Sequence, residues 1–300
     1  MALTLAQASL LTNSMLIRGV IETVVTESAV LNYLPFMEVV GSALAYPQET
    51  ALASAAFNSV GGTWVESSPT FAQQTETLKI LGGDADVDNY LERSFTQEND
   101  IQAVVLHEKA KAVAYQFNTS FFSGDTGVDP NSFDGIDKRI GNAAAPQTIT
   151  AGANGAALAL PLMDQLIDAV KPGRPDVLFM SRRSRRNLNQ LRRSAGNILQ
   201  SDLDQFGRMV LWYDGIPVEI DDNIPDTKAV GTSGAICSTV YALKFGWNTG
   251  IMGIHSGGIM VDRIGSLETK DASRNRVKWY CSIALMNPLG TARLIGVNGS

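Results

Sequence analysis

The amino-acid sequence predicts an α+β fold, because one long helix is accompanied by segments with the period of strands. Apolar side chains recur at steps of three and four from Phe95 to Phe122, the spacing of one helix face. Asp214-Gly215 separates two alternating segments, Met209–Tyr213 and Ile216–Ile220, and is typical of a two-residue hairpin turn. Arg276–Leu285 also alternates like a strand. Helices and hairpins in this order favour α+β over a doubly wound parallel sheet.

The composition is that of a globular protein and excludes several other classes. Of the 300 residues, 45% are hydrophobic and 18% are charged, which are ordinary values. No apolar run approaches the roughly 18–20 residues that span a bilayer, and the N-terminus lacks the basic region of a signal peptide. The net charge of −6 argues against a dedicated nucleic-acid binder. A disulfide between Cys237 and Cys281 stays open, but reduced thiols are favoured.

The first part of the chain is predicted to contain a helix, a strand and a long hairpin. Apolar residues at helical steps predict a helix in pieces from Thr4 to Asn32, and Pro35 ends it. Phe36 to Tyr46 is predicted to be a strand. From Gly41 to about Ile80 the sequence is rich in Ala, Ser, Thr and Gly, with a strand-like stretch on each side of Gly61-Gly62.

This long hairpin has too few large apolar side chains to form a core of its own. An isolated two-stranded hairpin is marginal in water, and long structureless loops are uncommon in compact domains. Two interpretations are therefore open, a flexible surface loop or a segment that becomes ordered on a neighbouring subunit. The side chains expected to make such inter-subunit contacts are Leu52, Phe57, Trp64, Val65 and Phe71.

Gly82–Asp88 matches a calcium-binding loop only in part. Asn89 stands where that loop requires Gly, and Phe95 stands where it requires a bidentate Glu. We therefore predict no metal site and interpret the aspartates as acidic residues before a helix N-terminus, where the helix dipole favours them. Ser94 and Gln97 are predicted to cap the long helix.

The second half of the chain is predicted to mix further helices and strands. A helix over Ala156–Val170 is ended by Pro172-Gly173, and a buried strand follows at Asp176–Met180. Additional strands are predicted at Ala235–Phe245 and Gly250–Ile254.

A helix capped by Ser181 and ending at Arg193 is the strongest candidate for binding phosphate. We interpret its arginines as spread around the helix rather than gathered on one face. No aromatic residues alternate with them, so the side chains that would stack on the bases of a single-stranded nucleic acid are missing. Solvated faces and salt bridges to adjacent subunits are therefore the favoured explanation. The arginines are Arg182, Arg183, Arg185, Arg186, Arg192 and Arg193.

Most enzyme signatures are missing from the sequence, including the dinucleotide, Walker and nucleophile-elbow motifs. His107 lies mid-helix among charged residues. His255 beside Ser256 suggests a small α+β hydrolase as an alternative, but no nearby carboxylate is placed to orient it. Three aspartates around Pro225 are interpreted as a polar turn: Asp221, Asp222 and Asp226.

The order and spacing of these features over nearly the whole chain resemble the major capsid protein of tailed bacteriophages. This coat fold was first seen in the Hong Kong phage and is shared with encapsulin shells. Each matching piece is short, so the resemblance depends on their order. The pieces are Leu34–Phe36, the long hairpin, the long helix, Phe133–Ile136, Val177–Leu191, Phe206–Arg208, Tyr213–Val218 and the C-terminal strand.

The resemblance implies a phage major capsid fold with four parts. These are an N-terminal arm and helix at 1–40, an extended hairpin called the E-loop at 41–82, a peripheral domain with the spine helix at 83–124 and 264–300, and an axial domain at 125–263. It also implies a structural protein without catalysis or cofactors, which self-assembles as hexamers and pentamers into an icosahedral shell enclosing phage double-stranded DNA. An encapsulin-type compartment is the alternative.

The resemblance further implies the partners and the location of the protein. Besides other copies of the chain, the partners are a separate scaffolding protein, portal and decoration proteins, and packaged DNA bound without sequence preference, but no membrane. The location is the virion capsid, assembled in the host bacterial cytoplasm.

Some relatives link an E-loop Lys covalently to a peripheral Asn. Asn275 is suitably placed, but no Lys precedes Lys79, so non-covalent contacts are expected. Few residues precede the fold, which suggests separate scaffolding or a processed N-terminus.

Overall fold

Two large β-sheets and one small sheet organise the protein in a computed structural model, which describes residues 29–89, 101–142, 147–194, 201–203, 209–232 and 234–299. Helices pack on both large sheets, which confirms the predicted α+β class. The described helices are α1 (Ala29–Tyr33), α2 (Ile101–Ser123), α3 (Ile136–Asn142), α4 (Leu160–Asp168) and α5 (Arg182–Ser194). The described strands are β1 (Phe36–Glu38), β2 (Ala43–Ala51), β3 (Thr70–Thr77), β4 (Lys79–Asp88), β5 (Thr148–Thr150), β6 (Val177–Met180), β7 (Ser201–Leu203), β8 (Met209–Tyr213), β9 (Ile216–Ile220), β10 (Lys228–Val230), β11 (Ala235–Leu243), β12 (Ile251–Ser266), β13 (Ala272–Leu285) and β14 (Thr291–Asn298).

The first large sheet has four strands in the order β1-β12-β13-β4. β12 and β13 form a long antiparallel hairpin, and β4 pairs antiparallel with β13. The predicted alternation along the C-terminal strand is confirmed. Lys278 and Tyr280 are only partly buried and Ala284 packs in a different core, whereas every second residue from Val277 to Leu285 is buried in one core with α2. These buried residues are Val277, Trp279, Cys281, Ile283 and Leu285.

The contact between α2 and this sheet is centred on Phe117, which is fully buried. Its ring centroid lies 4.9 Å from that of Trp279 and 5.6 Å from that of Phe133. Phe36 on β1 completes the cluster, 6.1 Å from Phe117. Such tilted aromatic pairs add attraction to the hydrophobic free energy of burying the rings, so they fix α2 on the sheet.

The second large sheet runs in the order β5-β14-β11-β6-β9-β8-β7, with β10 paired to β11. β6 is buried on both faces. Leu178 and Met180 pack in a core with α4 and α5, whereas Val177 and Phe179 pack in the core that contains α2 and α3. The sheet therefore lies between two helical layers, and α2 packs on both large sheets.

Several predicted elements are confirmed and others are corrected. The hairpin around Asp214-Gly215 has the predicted bounds, and both turn residues have positive φ as that turn requires. The predicted single strand over Phe36–Tyr46 is wrong. β1 and β2 belong to different sheets, and the chain turns between them at Gly41, whose φ is +114°.

The strands β4 and β14 were not predicted, and β12 was predicted too short. Gly82–Asp88 is part of β4 rather than a segment before a helix, and β12 continues to Ser266, well past the predicted end at Ile254. β14 was not predicted, and it joins β11 and β5 in the second large sheet.

Other predictions concern residues that lie wholly or partly outside the described part of the chain. Of the predicted Thr4–Asn32 helix, only its end falls in described residues, where α1 forms. The proposed cap at Ser94 and Gln97 lies outside them, as does Phe206–Arg208.

A polar network around Asp137 holds α3 against the second sheet. The Asp137 carboxylate lies 2.8 Å from Lys228 Nζ and 2.8 Å from Arg293 Nη1, and it accepts a hydrogen bond from the Tyr241 hydroxyl at 3.0 Å. Burial acts to raise the pKa of Asp137, but the two cations outweigh it and hold that pKa below its ordinary value. Burial also raises the pKa of Tyr241 well above its ordinary value.

We expect Phe117→Ala to lower the free energy of unfolding by about 3–5 kcal/mol, the usual cost of truncating a buried phenylalanine. Tyr115→Ala is the matched control, because Tyr115 lies on the same helix and is 56% exposed. Urea denaturation of the unassembled chain measures both. Equal losses in the two variants would show that Phe117 has no special role in the core.

We expect Asp137→Asn to destabilise the protein at pH 7 by an amount that shrinks in acid. Because the folded pKa of Asp137 is lowered, its stabilising effect is present above the unfolded pKa of about 3.9 and is lost as the pH falls through the folded pKa. Thermal unfolding at pH 7 and at about pH 3 measures the gap between the two proteins. A gap that does not change with pH would contradict this role.

Candidate assembly surfaces

The E-loop is a two-stranded hairpin that extends beyond the two large sheets. β2 and β3 pair only with each other, from Ala43 opposite Thr77 to Glu49 opposite Phe71. Residues 52–69, here called the E-loop tip, have no regular secondary structure apart from a turn at Val60-Gly61, where Gly61 has a φ of +85°. Every residue of the E-loop tip is exposed.

The large apolar side chains predicted to make inter-subunit contacts are all uncovered in the single chain. Each is at least 65% exposed: Leu52, Phe57, Trp64, Val65 and Phe71. Val60 is also fully exposed but was not among the predicted contacts, although its position beside the Gly61-Gly62 turn indicates the same role. Several large apolar side chains on one uncovered segment indicate a surface that another molecule covers.

The base of the E-loop is fixed to the rest of the chain by a small core. Tyr46 is buried with Val39, Ile254 and Met286, and its hydroxyl donates a hydrogen bond to the Leu285 carbonyl at 3.0 Å. Burial, with a smaller contribution from a nearby carboxylate, raises the pKa of Tyr46 to about 12. The hydroxyl therefore stays protonated and remains a donor at neutral pH.

An ion pair between Glu76 and Arg139 ties β3 to α3. Arg139 Nη2 lies 2.8 Å from Glu76 Oε2, and its Nη1 contacts the other carboxylate oxygen, so the pair is bidentate. The two side chains are 18% and 12% exposed. Arg139 Nε also donates to the Asp134 carbonyl at 2.7 Å, and Lys79 Nζ donates to the Pro130 carbonyl at 2.8 Å. The E-loop is thus held rigidly at its base while its tip is uncovered.

The aspartates of β4 form ion pairs across the sheet, which corrects the interpretation that a helix dipole stabilises them. Arg274 binds Asp86 and Arg276 binds Asp84, each through Nε and Nη2. Hydrogen bonds from these guanidinium groups lower the pKa of both carboxylates. Lys270 also contacts Asp86 at 2.7 Å. Within the described residues no cluster of His, Cys, Asp and Glu is arranged to hold a metal ion.

The prediction that the arginines spread around their helix is wrong. Ser181 accepts a hydrogen bond from the Ser184 N–H and begins α5 as predicted. Ser184, Asn187 and Leu188 are the buried face of the helix, and the arginines lie mainly on the opposite side. Arg183 is the exception, because it turns inward to bond the Ser238 hydroxyl at 2.9 Å.

The residues suggested for a hydrolase do not form a catalytic arrangement. His255 Nδ1 accepts a hydrogen bond from the Gly258 N–H at 3.2 Å, so it cannot donate a proton to an orienting carboxylate. His107 lies on the surface beside Glu108.

The aspartates near Pro225 are engaged by protein groups. Asp221 accepts a hydrogen bond from the Asn118 side-chain amide at 2.6 Å, and Asp222 forms an ion pair with Arg182. Asp226 accepts a hydrogen bond from the Ser238 hydroxyl. These contacts support the interpretation of a polar turn.

Two further observations concern the cysteines and the membrane. Cys237 and Cys281 are both buried free thiols, and burial raises the pKa of Cys281 far above its ordinary value. Among the described residues, no helix combines the length and apolarity needed to cross a bilayer.

Comparisons with known proteins agree with this geometry. An encapsulin from Synechococcus elongatus PCC 7942 superposes with a TM-score of 0.70 at 16% identity, covering 90% of this chain and 88% of that chain. The capsid of an empty GTA particle gives 0.66 at 14% identity, covering 90% of both chains. A structure from Mycobacterium phage Bobi gives 0.65 at 17% identity, covering 91% of both. At such low identities the likeness concerns the fold alone.

No curated protein sequence matches the chain. The model of the phage capsid family, however, matches residues 8–282, which is most of the sequence. The chain therefore belongs to the phage capsid family.

Proposed function

We propose that the protein is a major capsid protein whose copies assemble as hexamers and pentamers into an icosahedral shell around phage double-stranded DNA. Family membership supports the coat role. The observation that carries self-assembly is the E-loop, whose base is fixed and whose tip leaves large apolar side chains such as Phe57 and Trp64 uncovered. A neighbouring copy is the proposed cover for them.

The uncovered apolar side chains of the E-loop favour an interface with another copy. A specific interface buries about 800 Å² on each partner, and an uncovered apolar segment gains hydrophobic free energy only when another surface covers it. Because the E-loop is one surface and the site that receives it is another, the contact is heterologous, and such contacts close into rings. Rings of five and six subunits are the proposed units of the shell.

We propose that these contacts are non-covalent. Lys79 is engaged at the E-loop base by the Pro130 carbonyl, and Asn275 is 4% exposed within β13. Asn275 is therefore not presented on the surface for a bond to another subunit, and the Lys79 ammonium already has a partner in its own chain.

We adjust the predicted domains according to the strands that each sheet contains. The peripheral domain is proposed as the four-stranded sheet with α2, taking β12 and β13 from the C-terminal part of the chain. The axial domain is proposed as the second large sheet with α3, α4 and α5, and it includes β14.

A structural role without catalysis is proposed because the family is one of coat proteins and because the His255 arrangement does not suit a hydrolase.

The proposed partners besides other copies are a scaffolding protein, portal and decoration proteins, and packaged DNA. The proposed location is the virion capsid, assembled in the host bacterial cytoplasm.

An encapsulin-type compartment is the second candidate, favoured by the likeness to the Synechococcus elongatus encapsulin. The two candidates predict shells with different contents. Shells purified from the native source after nuclease treatment should contain protected double-stranded DNA if the protein is a phage capsid. Shells that enclose a protein cargo and no nucleic acid would favour the encapsulin.

We expect deletion of Ala51 to Thr70 to give a folded, soluble chain that no longer forms shells. The deleted segment is exposed, so the cores remain intact, while the proposed clamp is lost. Negative-stain electron microscopy measures assembly, and circular dichroism measures folding. Shells formed by the truncated chain would show that the E-loop is not the clamp.

We expect Phe57→Ser combined with Trp64→Ser to reduce assembly strongly, because two aromatic anchors of the proposed contact are removed. Val128→Ser is the control, since Val128 is 84% exposed but lies outside the E-loop. The critical subunit concentration for shell formation, followed by light scattering, should rise at least tenfold for the double variant and remain unchanged for the control.

We expect Arg139→Ala to loosen the E-loop base, because the partly buried Glu76 carboxylate then loses its bidentate partner. Hydrogen exchange should become faster at amides of β2 and β3, and assembly should weaken. Arg174→Ala is the control, since it breaks an exposed pair with Asp214 and should have little effect. Unchanged exchange in Arg139→Ala would mean that this pair does not fix the E-loop.

A further inference from the structure

One face of α5 concentrates positive charge, and among the described residues only Arg182 of that face forms an ion pair with a carboxylate. At about 100° per residue, Arg182, Arg186 and Arg193 fall within about 40° of one another around the helix. Two further arginines lie beside them on one side of the helix, so that all five fall within an arc of about 120°. We call these five residues the arginine face: Arg182, Arg185, Arg186, Arg192 and Arg193.

The arginine face is open to solvent and only partly engaged within the chain. Arg182, Arg186 and Arg193 are exposed. Arg182 forms an ion pair with Asp222, in which the side chains are 73% and 63% exposed, so solvent screens it. Arg192 donates to the Trp212 carbonyl at 2.7 Å. Arg186 and Arg193 form no ion pair with a carboxylate of the described residues.

A second copy of this chain offers no matching acidic surface in the part that the structure describes. The aspartates that lie close together are already paired with cations of their own chain. Asp84 and Asp86 bind arginines of β13, while Asp125 and Asp134 share Lys138. The exposed carboxylates that form no ion pair among the described residues are spread over several elements. Those closest in sequence are Asp164 and Asp168 on α4, and Glu268 and Asp271 between β12 and β13; the others are Glu38, Glu49, Glu66, Asp129 and Asp176. Such pairs of carboxylates carry less charge than the five arginines, so a denser anion from another molecule fits the arginine face better than these parts of the described chain do.

A nucleic-acid duplex has the required density of charge. From Arg182 to Arg193 the helix rises about 16 Å, the axial length of about five base pairs, along which each strand presents about five phosphates. Arginine is suited to phosphate because its guanidinium binds oxygens in pairs. Aromatic residues, which would stack on unpaired bases, do not interleave the arginines, so a duplex fits better than a single strand.

We propose that the arginine face binds the phosphate backbone of double-stranded DNA without sequence preference. The proposal rests on the proposed function, because it makes α5 a contact point for the enclosed genome. The net charge of −6 does not oppose it, since the contact is local and the Debye length is about 8 Å at physiological ionic strength.

The test measures binding of the unassembled full-length chain to a short duplex of random sequence over a series of salt concentrations. The logarithm of the binding constant falls with the logarithm of salt by about 0.9 for each phosphate contact. Arg186→Gln with Arg193→Gln should therefore reduce that slope by about 1.8. Lys171→Gln with Arg263→Gln is the matched control, because it removes the same charge from two exposed positions outside α5 that form no ion pair with described residues. The control slope should equal that of the unmodified chain.

A charge-preserving variant separates electrostatics from damage to the helix. Arg186→Lys with Arg193→Lys should keep the slope, and circular dichroism should show all variants folded, since both positions are exposed. Equal loss in the Gln variant and its control would overturn the proposal, as would a chain that shows no salt-dependent binding. So would a Gln variant that binds DNA normally but fails to assemble, which would assign the face to a subunit contact. Failure of the unmodified chain to form shells would instead overturn the proposed function.

Discussion

The dominant physical constraint on this protein is the contrast between the two ends of the E-loop. Its base is fixed by buried Tyr46 and by the Glu76–Arg139 pair, whereas Phe57 and Trp64 near its tip contact nothing that removes them from water. Hydrophobic free energy is gained only on covering, so the single chain is an incomplete unit. A rigid base limits the positions that the tip can take, which reduces the entropy lost when another subunit covers it.

The spine helix α2 supplies the rigidity on which that arrangement depends. Phe117 packs against Trp279 of the four-stranded sheet. Five residues later, on another face of the helix, Phe122 lies 5.7 Å from Phe179 and 5.4 Å from Tyr241 of the second sheet. One helix therefore joins both large sheets through aromatic side chains. Because close-packed interiors resist deformation, these contacts hold the two sheets in a fixed relation to each other.

The sequence predicted those features that local chemistry determines and missed those supplied by distant partners. The Asp214-Gly215 hairpin and the Ser181 cap require only neighbouring residues, so their positions were predicted correctly. β4 was missed because it is poor in large apolar residues and is stabilised through arginines nearly 190 residues away. The exposure of the E-loop was predicted because the segment has too few large apolar side chains to form a core of its own. The arginine face, in contrast, was present in the helical spacing and was misinterpreted.

The distribution of charge reconciles a negative protein with a local site for a polyanion. Most clustered carboxylates, such as Asp84 and Asp137, are matched by cations inside the chain, so they contribute little field beyond a few ångströms. The arginine face is matched only at Arg182 among the described residues, and the field of its other guanidinium groups extends into solvent. A shell wall built from such subunits would attract phosphate at one helix of each copy and repel it weakly elsewhere. DNA could then be retained at many weak points while still moving between them, because each contact alone is worth little at physiological salt.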